Sequence, residues 1–178
     1  DREGVTAVLM DFSQARRVSR VVGDASWEAA AVAQRSLDSY CFGNFIAVVC
    51  YGPRAQTGGH AHDQLAQHHA IVGAAQRNAL ATLSGAPSGD EPPRFVNNLK
   101  QLAASHARLH PAGRVAPAKG MPSHCAEPRV LDAVIQECWR PALEYSTALK
   151  PSDTTTAPGM TTIRVAPSDW DAIVNRLR

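Results

Sequence analysis

Two kinds of hydrophobic pattern divide this chain. Unbroken apolar runs rich in β-branched residues occupy residues 4–12 (GVTAVLMDF) and 44–51 (NFIAVVCY), and a shorter alternating run occupies 161–166 (TTIRVA). Runs of this length, bounded by turn residues such as Gly52-Pro53, predict strands. Helical spacing holds elsewhere. Ser26 is placed to cap a helix with Glu28 in its first turn, and the Ala-rich stretch to about residue 39 continues it. Gly58-Gly59 opens a long helical stretch over 60–83, where Leu65, His69, Val72 and Ala75 share one face. Phe95, Leu99, Leu102 and Leu109 do the same over 95–109. Residues 124–138 read as a helix with Val130, Val134 and Ile135 inward, which Pro141 bends or ends. Pro167 starts a last helix over 168–177.

Residues 84–93 (SGAPSGDEPP), 111–122 and 150–159 read as loops, the second with a short strand at 114–116. Residues 13–22, with Arg16, Arg17 and Arg20, follow neither period, and no internal repeat is visible. Strands alternating with helices point to an α/β fold with a central mixed sheet, in one domain over 1–178. At 178 residues the chain is long enough to bury a core without a staple.

Composition narrows the function classes. Apolar residues make up 44% and charged residues 19%, which is a globular balance. There is no apolar run of about 18 residues, so no membrane span and no membrane partner is expected. A net charge of +2 is too small for a nucleic-acid footprint by itself. There are four cysteines (Cys41, Cys50, Cys125 and Cys138) and no visible signal peptide, which favours free, mostly buried thiols over disulfides for Cys41, Cys50 and Cys138. Asp1 in place of an initiator Met leads to the expectation of a piece excised from a longer protein.

The stretch with most chemical content is His124-Cys125-Ala126-Glu127-Pro128 at the start of a helix, followed after a loop by strand, Pro167 and helix. Cys125-Ala126-Glu127 resembles the Cys-Ala-Glu motif of the cytidine-deaminase-like superfamily. With the preceding Gly/Pro loop it is similar to the toxin-type deaminases, the YwqJ-like group nearest of all, over residues 115–178. The resemblance implies a cytidine-deaminase-like three-layer fold, here with extra N-terminal helices. It also implies zinc held between two helix N-termini, with a metal-bound water activated for attack on a base. Cys125 would be a metal ligand and Glu127 the catalytic acid/base. Where the family has Pro-Cys-x-x-Cys this chain has Pro167-Ser168-Asp169-Trp170-Asp171, which puts Ser168 and Asp171 at the two remaining metal positions. Serine is a poor zinc ligand, and aspartate shifts preference toward harder metals.

The expected function is therefore zinc-dependent hydrolytic deamination of a nucleobase, nucleoside or nucleic acid. The chain would be a soluble effector or toxin domain, secreted or delivered into a cytoplasm and countered by a cognate inhibitor protein. A catalytically degenerate binding module of the same fold is the alternative. A further one makes Cys125 the nucleophile of an amidohydrolase such as a protein deamidase, with His106 or His110 as base, because His124 diverges from its own neighbour on a helix. The histidines at 60, 62, 68 and 69 read as an exposed polar face, with His62 and His69 two turns apart. Trp139 and Trp170 read as core or interface packing, with Tyr40 a candidate for stacking on a base. Phosphate-binding loops and the Gly-x-Ser-x-Gly elbow are absent from the sequence.

Overall fold

The structure, a computed structural model, describes residues 24–51, 62–85, 94–110, 128–149 and 165–177. They form five helices: α1 (Ala25–Tyr51), α2 (His62–Leu83), α3 (Phe95–Leu109), α4 (Pro128–Ala148) and α5 (Trp170–Leu177). Among the described residues there is no strand. This overturns the expectation of an α/β, cytidine-deaminase-like three-layer fold with a mixed central sheet. The run at 44–51 is the last two turns of α1. A short apolar run does not distinguish a buried strand from a buried helix face, and here packing decides. Ile46, Ala47 and Tyr51 point into the core, while Phe45 and Val49 point out. Val165 and Ala166, from the run at 161–166, lie in irregular backbone. The rest of that run, the expected strands at 4–12 and 114–116, and residues 13–22 lie outside the described residues.

The first four helices make an antiparallel bundle, α1 against α2 and α4, α3 against α2 and α4. Cross-links between helices fix their directions. Ala29 and Ser39 of α1 meet Tyr145 and Cys138 of α4 through hydrogen bonds. Asn78 of α2 meets Asn98 of α3, and Ser146 of α4 caps the Leu99 carbonyl of α3. The core runs along all four inner faces, with Leu37, Phe95, Leu99, Leu102, Ile135 and Trp139 among its largest members. Helix α3 begins and ends where its spacing predicts, and all four of its predicted core residues are buried. On α4, Val134 and Ile135 are buried as expected and Val130 only partly. Cys41, Cys50 and Cys138 are in no disulfide, and of the three Cys138 alone is fully buried.

Two local features differ from expectation for identifiable reasons, and a glycine between them sets a close helix contact. Asp24, not Ser26, caps α1: its carboxylate accepts the Ser26 and Trp27 amides at 2.9 and 3.1 Å. Gly43 lies inside α1, which runs on to Tyr51. It lies where α4 approaches closely, and a Cβ there would stand 2.9 Å from Cys138 Cβ. Pro141 does not end α4, which continues to Ala148. Proline offers no amide to the carbonyl four residues back, Glu137. That carbonyl is met by the Ser168 hydroxyl at 3.3 Å, so the helix passes through its proline with the orphaned acceptor served from α5's leading segment.

Candidate functional site

The centre of the bundle is polar. Tyr40 of α1 is fully buried, and its hydroxyl lies 2.9 Å from His68 Nε2 of α2 and 2.7 Å from His106 Nδ1 of α3. His68 Nδ1 in turn meets Ser105 Oγ at 2.9 Å. Three helices thus contribute one continuous chain, Ser105–His68–Tyr40–His106. His106 continues into a ring cluster: its centroid lies 4.7 Å from Trp139, edge to face, and 4.9 Å from His110. His110 is 4.8 Å from the same indole.

Burial decides the charge state of these rings. It pushes the His68 pKa down to about 4 and that of His106 down to about 3, with neighbouring imidazoles adding to the effect. Both are neutral at physiological pH. Burial also raises the Tyr40 hydroxyl far above its ordinary value, so it stays protonated. The network is a set of neutral donors and acceptors in which each described partner is used.

His106, His110, Gln136, Glu137, Trp139 and Arg176 are among the residues that line a cleft of about 720 Å³. This volume is in the range of small-molecule sites. Glu137 and Arg140 also clasp the segment that leads into α5. Arg140 donates to Glu137 at 2.8 and 3.0 Å, to Glu144 at 3.0 Å, and to the Pro167 carbonyl at 3.1 Å. The Asp169 amide donates to Glu137 at 3.2 Å. The Arg140 hydrogen bond holds the Glu137 carboxyl below the usual carboxylate range. Asp169 caps α5 through the Ala172 amide at 2.8 Å.

Of the residues expected to carry chemistry, Cys125 and Glu127 lie outside the described residues, as does His124. Ser168 and Asp171 are described. Ser168 is buried, with its hydroxyl 2.5 Å from Ser39 Oγ, which itself donates to the Cys138 carbonyl. Asp171 is exposed on the first turn of α5. The start of α5 packs at Glu137, nine residues beyond Pro128. That is about 14 Å along α4 at the helical rise. Of the two, Ser168 is engaged in the core and Asp171 faces solvent. Among the described residues no three His, Cys, Asp or Glu side chains converge as for a metal ion. His106 and His110, expected as bases for a Cys125 nucleophile, sit together against Trp139, eleven residues into α4.

The exposed-face reading of the α2 histidines holds for His69 and fails for His68, which is buried. His60 lies outside the described residues. Of the expected inner face of α2, Val72 and Ala75 are buried and Leu65 partly so, while His68 rather than His69 joins them, with Ala79 beyond. The signal was there to read. His68 stands four residues before Val72, and His106 stands between Leu102 and Leu109 in the α3 stripe. A polar residue inside an apolar stripe demands a partner. Trp139 is core, whereas Trp170 is 46% exposed and packs edge-on against Phe42.

The chain matches no family model, no curated protein and no solved structure. No helix among the described residues is long and apolar enough to cross a membrane.

Proposed function

We propose that this chain is a helical domain that binds a nucleobase or nucleoside in the cleft between α3, α4 and α5. The observation that carries the reading is the pairing of the His106, His110 and Trp139 rings with Gln136, Glu137 and Arg176 around one cleft. A flat heterocycle gains from contact with aromatic rings, and its edge needs a few fixed donors and acceptors. The neutrality of His106 suits an uncharged ring. Calorimetric titration of the chain with adenosine, guanosine, cytidine and uridine tests this directly. Binding of at least one, weakened by Arg176→Ala and by His110→Ala, is expected. No heat with any of the four removes the reading.

Hydrolytic deamination is a second reading, favoured by one observation: α4 begins at Pro128, so Glu127 immediately precedes a helix start. There Glu127 would move protons on a bound base, with Cys125 beside it. The chain would then be an effector domain, with an inhibitor protein as its partner. Ammonia release from the four nucleosides, alongside elemental analysis of the wild-type chain and Cys125→Ala, separates the readings. Release that is lost in Glu127→Gln supports hydrolysis, and binding without release leaves the domain a binding module.

A further inference from the structure

The Tyr40 hydroxyl has one proton and two imidazole nitrogens within hydrogen-bond distance, at 2.9 and 2.7 Å. It can donate to only one of them, so the other must donate to it. His68 Nε2 and His106 Nδ1 are therefore always in opposite states, one bare and one carrying a proton. The His68 ring has its second nitrogen on Ser105, so the same rule passes on to that hydroxyl. Only two arrangements satisfy every link. In one, Ser105 donates to His68, His68 to Tyr40, and Tyr40 to His106 Nδ1, which leaves His106 with its proton on Nε2. In the other every bond is reversed, and His106 Nε2 is bare. Both are neutral overall. Nδ1 of His106 is tied to Tyr40 in either case, so Nε2 is the polar atom the ring has left for the cleft that His106 lines.

We propose that His106 contacts the edge of the ligand in the cleft, and that Ser105, His68 and Tyr40 are positioning residues that set which tautomer it presents. The inference rests on the nucleobase reading and deepens it. The edge of a nucleobase carries donors beside acceptors, and a neutral imidazole that can present either matches it without a change of charge. The arrangement also explains three buried polar side chains on three helices, each of which would be costly in an apolar bundle if left without a partner.

The test is a long-range proton–nitrogen correlation spectrum of the full chain, labelled with nitrogen-15, at pH 7. His106 signals are assigned by their loss in His106→Asn. The wild type is expected to show His106 in one dominant neutral tautomer. Ser105→Ala touches His68 and not His106, yet it is expected to change the His106 tautomer ratio by about threefold, the effect of a hydrogen bond of modest net strength. Tyr40→Phe keeps the ring and uncouples the two imidazoles. Should that variant fail to fold by circular dichroism, Ser105→Ala alone decides. An unchanged His106 ratio in folded Ser105→Ala overturns the positioning chain. Added cytidine or adenosine is expected to shift His106 Nε2 before any His68 nitrogen. If a nucleoside binds by calorimetry and leaves His106 unmoved, the contact is overturned while the binding reading stands. If the ratio responds to Ser105→Ala and no nucleoside binds, the positioning chain is supported and the nucleobase reading falls.

Discussion

Gly43 carries two opposing effects of known size. Alanine in a helix interior gains about 1 kcal/mol over glycine. At this position the new Cβ would meet Cys138 Cβ at 2.9 Å and the Trp139 ring at 3.0 Å. Cβ is anchored to the backbone and cannot turn aside, so α1 and α4 would have to separate. Overpacking of this kind costs about 1 to 3 kcal/mol, which outweighs the propensity gain. Gly43→Ala is expected to destabilise the fold by about 1 kcal/mol net. Urea unfolding would show it as a lower midpoint with an unchanged slope. The residues of the polar centre were only half legible. Tyr40, His106 and His110 each drew attention, Tyr40 as a base-stacking ring and the histidines as possible bases for Cys125, but nothing local in the sequence brings 40, 68, 105 and 106 together. That meeting is a property of three helices packed at one level. His69 stands only 100° from His68 on the same helix, so an exposed reading that holds for His69 fails for His68, which lies one turn before the buried Val72.

Helix by helix, length and breakers governed what could be read. The 95–109 helix was legible to the residue because four large apolar side chains repeat along it at helical spacing, with Asn, Lys, Gln and Arg on the other side. The 44–51 run was not, because it is too short and too uniformly apolar to declare a period, and Gly43 before it has the look of a break although α1 runs through it. At Pro141 a bend or an end is the expectation because its own helix offers no remedy for the orphaned carbonyl, and the remedy comes from Ser168, far along the sequence. The same region makes α5 dependent on two side chains of α4. Arg140 holds the Ala166 and Pro167 carbonyls, and Glu137 receives the Asp169 amide. Arg140→Ala is expected to loosen residues 165–177 while leaving the bundle folded. Amide hydrogen exchange should rise in α5 and stay unchanged in α1 and α3. Uniform exchange across all five helices would show that the clasp does not hold α5.

For the molecule as a whole, acid is the condition the bundle resists least. The folded pKa values of His68, about 4, and His106, about 3, lie below the ordinary imidazole value of about 6.5. The unfolded chain therefore takes up protons first as pH falls. The stability linked to these rings is complete above about pH 6.5, and each ring removes roughly 1.4 kcal/mol per pH unit below it until its folded pKa is reached. The depressed Glu137 carboxyl acts in a lower window: its contribution is present above the ordinary carboxylate value and is lost as pH falls through its folded one. Melting temperatures should be level from pH 8 to 7 and drop steeply between 6 and 4. A flat profile down to pH 4.5 would mean the imidazoles are not held neutral. Fold class was the least legible property, since it depended on the state of three short runs, one of which is helical and two of which are largely outside the described residues.

The polar centre also answers a question that an apolar bundle leaves open. Greasy helix faces can slide past one another by a turn with little change in buried area, and a bundle built only of such faces has several nearly equivalent alignments. Here a one-turn slip of α1 would bring Ser36 or Asn44 to the place of Tyr40, and neither spans the gap between two imidazoles. It would also set Ser39 or Ala47 in place of Gly43 against α4, where no Cβ fits. The hydroxyl and the glycine, three residues apart, together act as a key with two teeth, and the helix enters its neighbours in one position only.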